Sequence, residues 1–460
     1  MSATYWDVGT LKTYATITDA LSAMSILYSG NISSQGVNII RVYAGGVTVG
    51  SASVYREYID LTSFTGFGSS DYIVIQGMVN HNGIKYTGIE ITGGTAPGGY
   101  VVSMGPYCRI ENVAVARETG HGEGPVVGLI GFNAGGLTTP TGIVYNCMVY
   151  DLSVNTPTLI GGVLSPPDFG NLTILNSIAC NIVNTSTNSN AIAGGFGALG
   201  GTVFVYNCSV HNISVPNSSL HLGIGVGSGG GPGVGVVCTN VVTGTCSYNG
   251  IVSGPGAVVN FCVSKDVSAG VYGGSGNKSN QDLTTQIKFT TTTVGSEYLL
   301  TTSGSVCNLA GTNLTTTFSN LGYTDTDIAG NARTSWTIGA FNAPVGPVTY
   351  DKTIDSVWHI LKIRTQAINS NTTLFDTYGG GILGEEVISR REASGYAVDD
   401  LHENDEDVGT RPVMGDWEAA PEGLGTVCIK GFQDVSDGDN YLMFNHTKRT
   451  KTIYSNAEVD

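Results

Sequence analysis

Short apolar runs of four to six residues, rich in Val and Ile, recur along the first three quarters of the chain, each bounded by Gly, Asn or Ser. Residues 107–116 (YCRIENVAVA), 142–154 (GIVYNCMVYDLSV), 171–184 (NLTILNSIACNIVN), 201–215 (GTVFVYNCSVHNISV), 233–244 (GVGVVCTNVVTG) and 257–270 (AVVNFCVSKDVSAG) share one pattern. An alternating apolar run meets an Asn or Thr, often beside a Cys, and a second short run follows. Each run reads as a short strand, because β-branched residues fit a pleated, half-buried surface. Asn146, Asn176 and Asn207 recur about 30 residues apart, and Cys147, Cys208, Cys238 and Cys262 fall in the same rows. Such a period means stacked supersecondary units. No helical periodicity separates the strands, so helical and leucine-rich solenoids are excluded.

The predicted fold is all-β: a right-handed parallel β-helix of about ten coils, spaced by the ~4.8 Å strand separation. Stacked Asn amides would hydrogen-bond from coil to coil, and stacked Cys, Val and Ile would fill the interior. In that ladder Asn176→Asp would bury a charge with no cation nearby. Apolar positions at Ile17, Leu21, Met24 and Leu27 predict a cap helix over about 14–27, with Thr18 and Asp19 as its N-cap region. The helix would cover the first coil, whose open edge invites pairing with other chains.

Charge sharpens the domain picture. There is no Lys or Arg from Glu118 to Ser264, and no acid between Asp168 and Asp266. Residues 351–460 hold 30 of the 56 charged residues. The shift, with Pro344 and Pro347 as breakers, predicts a β-helix over 1–345 and a charged β-rich module over 346–460, for attachment or oligomerisation. Gly is high at 66 of 460 residues, and the net charge is −16. The acidity argues against nucleic acid as a partner, and no run of some 18 apolar residues predicts a membrane span. The first ten residues lack an export signal, so folding is expected where the chain is made. The nine cysteines show no CxxC pair and no zinc spacing, and read as free buried thiols.

Two phrases go beyond pattern. Residues 297–313 (EYLLTTSGSVCNLAGTN) and 327–341 (DIAGNARTSWTIGAF) resemble the closing coils of the right-handed parallel β-helix superfamily, and 14–21 (YATITDAL) resembles its opening phrase. The chain departs from those phrases at Leu309 and Asn342, where the superfamily usually carries acids. The resemblance covers about residues 10–343. It implies terminal coils at about 297–343, and a turn-capping and ion-pairing role for Asp325, Asp327 and Arg333. The superfamily spans polysaccharide lyases, glycosidases, adhesins and phage tailspikes, so the resemblance specifies fold and not activity.

Candidate chemistry is sparse. A glycosidase needs two carboxylates about 5–10 Å apart, and residues 169–265 offer none. The loop after Arg117 places Glu118, His121 and Glu123 together, as weak catalytic candidates or a solvated loop. The acidic block 399–407 reads as a solvated loop, and Asp434, Asp437 and Asp439 as a hairpin turn more than a Ca2+ loop. No cofactor or metal site is predicted.

A coil surface this poor in charge is expected to meet protein. The primary expectation is therefore a non-enzymatic virion structural protein of a phage: a capsid cement or decoration protein, or a spike or fibre. It would assemble in the host cytoplasm as a homo-oligomer, such as a trimer, and contact other virion proteins or a host-surface glycan. The alternatives are a polysaccharide-degrading β-helix enzyme and a bacterial surface adhesin.

Overall fold

The computed structural model describes residues 3–342 apart from 94–98, 118–125, 134–139, 158, 166–169, 189–190, 199, 217–225, 229–234, 248, 253–256, 272, 290–303, 325 and 334–335; beyond 342 it describes the strands alone. The chain divides into two compact units, Met1–Ala343 and Pro344–Asp460.

The first unit is a parallel β-helix. One sheet stacks nine parallel strands, Thr4–Val8, Val37–Val42, Tyr72–Gly77, Arg109–Glu111, Thr141–Tyr145, Asn171–Leu175, Thr202–Tyr206, Gly235–Thr239 and Val258–Asn260. A second nine-stranded sheet includes Thr87–Gly93, Ala114–Arg117, Met148–Val154, Ile178–Asn184 and Ser209–Ser214, and a third has seven strands. Register is set by columns of like side chains. Ile40, Ile75, Ile110, Val144, Ile174, Val205, Cys238 and Val259 pair coil on coil, and all are buried. A one-residue slip would turn each column outward, so burial fixes the pairing.

The chain turns from the first sheet into the second within two residues. Asn112, Asn146, Asn176, Asn207 and Asn240 occupy that turn with φ between 47° and 58°, a left-handed conformation that Asn tolerates better than other side chains. The next residue points inward: Val113, Cys147, Ser177, Cys208 and Val241 are all buried, as is Cys262 after Phe261, which takes the same left-handed conformation one coil on. The Cys147, Cys208 and Cys262 thiols donate to the carbonyl two residues before them, and burial pushes each up to about 12. Cys238 is a correction. It stands in the strand column between Val205 and Val259, because Asn240 and Val241 take the turn positions of its coil.

The cap helix is Ile17–Tyr28, capped by Thr16, whose hydroxyl accepts from the Asp19 N–H at 3.0 Å, and not by Thr18 or Asp19. The Glu57 carboxylate takes the Ile17 and Thr18 N–H groups at 3.0 and 2.7 Å, so a later coil satisfies the first-turn donors. Ile17, Ala20, Leu21 and Met24 are buried, whereas Leu27 is 66% exposed.

The described residues of the closing phrases add no strand to the stacked sheets. Described residues 304–342 form a strap on the outside of the β-helix. Leu314, Phe318 and Trp336 cover Ile143 and Leu175 on the first sheet. Ile338, Ala340 and Phe341 cover Met148, Tyr150 and Ile178 on the second. The reason is visible in the coils: these outward positions are apolar and must be covered. Asp327 binds its own loop, accepting from the Ala329, Asn331 and Asn342 N–H groups at 2.9–3.0 Å. Arg333 reaches the Ala340 carbonyl at 2.9 Å and the Asn176 amide oxygen at 3.3 Å. These bonds run to backbone groups of the loop and to an amide of the coil. Asp325 lies outside the described residues.

The second unit contains a five-stranded antiparallel sheet, in which Val427–Gln433 and Asn440–His446 pair as neighbours. These are the strands expected on either side of the turn at Asp437. Residues 399–407 and 434–439 lie outside the described residues.

Two buried histidines set a pH dependence. His81 accepts from the Gly83 N–H on Nδ1 at 2.9 Å, which leaves Nε2–H to donate to the Asn146 carbonyl at 2.6 Å. His211 accepts from the Thr245 N–H on Nδ1 at 3.2 Å. Burial lowers both to about 4, from the usual 6.5. The unfolded chain therefore binds protons that the folded chain refuses, and stability falls as pH drops from about 6.5 to about 4. The expected loss is roughly 3 kcal/mol per histidine, read as a falling urea midpoint. A midpoint unchanged between pH 7 and pH 4.5 contradicts the burial of neutral imidazoles.

Candidate functional site

The asparagine row is where coil and strap meet. Asn240 Nδ2 donates to Asn207 Oδ1 at 2.9 Å and to the Thr312 carbonyl at 2.8 Å, and Asn240 Oδ1 accepts from the Thr312 N–H at 2.8 Å. Asn176 Nδ2 donates to the Thr326 carbonyl, and Asn176 Oδ1 accepts from Arg333. The expected absence of a cation near Asn176 is thus corrected: Arg333 of the strap sits on its amide oxygen.

The strap does not cover the row to its end. At Asn112 and Asn146 a groove of about 390 Å³ opens, lined by Gln76, Gly77, Met78, Asn80, Glu111, Asn112, Tyr145 and Asn146. With Asn176 engaged by the strap, Asn146 Oδ1 is buried with no hydrogen-bond partner among the described residues. Asn146 is only 9% exposed. An unmatched buried acceptor costs about 1–3 kcal/mol, and a turn of the Asn146 amide toward the groove would let a ligand donor recover that.

Glu111 is the acid of this groove. It occupies the outward strand position before Asn112, in register with Gln76 and Tyr145. Its Oε1 accepts from the Tyr323 hydroxyl at 2.8 Å and its Oε2 from Gln76 Nε2 at 3.0 Å. Burial raises its carboxyl above the usual range, against the Tyr323 bond, the Arg109 charge and the Gln76 bond, which pull it down. Tyr323 comes from the strap and stacks on Tyr145 with centroids 4.2 Å apart. Arg109 lies over the faces of Tyr72 and Tyr323, at 4.9 and 5.6 Å.

The residues expected from sequence divide sharply. Glu118, His121 and Glu123 lie outside the described residues. Asn146, Asn176 and Asn207 stand in the turn row, and Asn146 lines the groove. Sequence reasoning missed Glu111, Tyr145 and Gln76, though one signal was available. Glu111 precedes Asn112 as Tyr145, Leu175 and Tyr206 precede their asparagines, and it is the only charged residue in that series. It also missed a second ladder five residues further on. There Asn212 donates to Asn181 at 2.8 Å, Asn181 donates to Asp151 at 3.0 Å, and Asp151 pairs with Lys85 at 2.5 Å.

Among the described residues no cluster of His, Cys, Asp or Glu is arranged to hold a metal. The groove instead offers acceptors, side-chain amides and a tyrosine ring, a set that recognises hydroxyl-bearing ligands.

Two variants test this construction. Tyr323→Phe removes a donor from Glu111, and its carboxyl is expected to titrate higher still, by carbon-detected NMR of labelled glutamate. Asn240→Ala breaks two bonds between coil and strap and one between coils, and is expected to cost about 3 kcal/mol in chemical denaturation. A loss below about 1 kcal/mol would mean that the strap is not anchored there.

No family model matches the chain, and no curated protein does. Among solved structures the chain is similar to a pectin methylesterase from Aspergillus niger, at 21% identity over 56% of this chain and 82% of that one, with a TM-score of 0.28. A likeness this loose transfers no residue role, and the coil pairing itself identifies the chain as a parallel β-helix.

Proposed function

We propose that this β-helix engages a polysaccharide in the groove at the open end of its asparagine row. The observation that carries the reading is the unmatched Asn146 Oδ1, on a residue that lines the groove together with Glu111 and Tyr145. Sugar hydroxyls supply the missing donors, and a sugar face packs on an aromatic ring. The groove runs across successive coils, so its polar groups repeat at the strand spacing, which suits a polymer better than a compact metabolite.

Binding is favoured over cleavage. Glu111 is the one carboxylate of the described lining, and both its oxygens accept hydrogen bonds. Hydrolysis also requires a second carboxylate about 5–10 Å away, and none of the described groove-lining residues supplies one. A virion cement, spike or fibre protein remains a compatible setting, because such proteins meet host-surface glycans. That reading, and the homo-oligomer expected with it, gains nothing from the fold. Part of the apolar outer surface is covered by the chain's own strap.

The test is affinity electrophoresis against a panel of polysaccharides, with an assay for new reducing ends. At least one polymer is expected to retard the protein without being shortened, and Tyr145→Ala is expected to weaken that binding about tenfold. Retardation unaffected by Tyr145→Ala would place the binding elsewhere. Release of reducing ends that Glu111→Gln abolishes would replace binding with catalysis.

A further inference from the structure

The groove has a sign. Resting on the polysaccharide reading, we infer that it selects neutral glycans against uronate polymers, and that Glu111 is the residue that decides this. Three observations lead there. The described lining contains one carboxylate and no Lys or Arg. Both Glu111 oxygens are held by neutral donors, Tyr323 and Gln76, so among the described residues no cation bonds the carboxylate. The unmatched group beside it, Asn146 Oδ1, is also an acceptor.

Arg109 is the cation to weigh against this. It lies over the rings of Tyr72 and Tyr323, bonds the Tyr323 hydroxyl at 3.4 Å, and is not among the groove-lining residues. It tempers the Glu111 charge from outside the groove and presents no fork to a ligand within it. A neutral sugar offers hydroxyl donors to Asn146 and packs on Tyr145. A uronate brings acceptors to acceptors, and sets a second negative charge beside a carboxylate that is already desolvated.

The panel therefore needs matched pairs: glucan with glucuronan, galactan with polygalacturonate, mannan with polymannuronate, at pH 7 and constant ionic strength. The quantity read is the ratio of uronate to neutral dissociation constants. The tightest binder is expected to be neutral, its uronate partner at least tenfold weaker, and Glu111→Gln is expected to bring that ratio to about threefold or less. The intact fold of the variant is checked by its urea midpoint. A uronate bound as tightly as its neutral partner, or a ratio that Glu111→Gln leaves in place, overturns this inference and leaves the polysaccharide reading standing. Failure to bind any polymer overturns both.

Discussion

A parallel coil that rises by one strand spacing per turn must reverse its backbone in very little space, at the same place each time. Here the reversal takes two residues, and the first adopts a left-handed conformation in coil after coil. Asparagine fills it at five successive coils, and its N–H bonds the carbonyl of the next coil, as from Asn112 to Tyr145 and from Asn146 to Leu175. Everything lateral to this corner follows from it. The inward residue beside each asparagine has to be small, which explains the thiols, Ser177 and the valines. The flanking strands have to stay in register, which explains the unbroken column from Ile40 to Val259.

The corner also creates a chemical demand. A row of primary amides at a nearly closed surface has donors and acceptors that need partners. Over Asn176 and Asn240 the strap supplies them with backbone groups and with Arg333. At Asn112 and Asn146 none of the described strap residues bonds the asparagine side chains, and the demand passes to whatever enters the groove. Structure and candidate function are therefore one feature: a repeated turn served by the strap at Asn176 and Asn240 and opening on the groove at Asn112 and Asn146. Tyr323 joins the two regimes, since it belongs to the strap yet holds Glu111 in the groove.

This arrangement changes what the scarcity of charge means. The acid-free stretch 169–265 argues against chemistry in the later coils, but the groove is built from residues 76–146, before that stretch begins. Part of the apolar surface that suggested an external partner is occupied by residues 304–342 of the same chain.

The sequence alone determined the parallel β-helix, the cap helix, the asparagine row and the inward thiols Cys147, Cys208 and Cys262. Each of these depends on neighbours one coil away, and a coil is a nearly constant number of residues, so the information survives as a period. The sequence did not disclose that residues 304–342 leave the stack, or that Glu111, Tyr145 and Tyr323 converge. Those contacts join positions more than 170 residues apart with no period between them. Only the folded chain decides them, because the cost of exposed Ile143, Leu175 and Ile178 arises once the coils have formed and draws the strap onto their outer face.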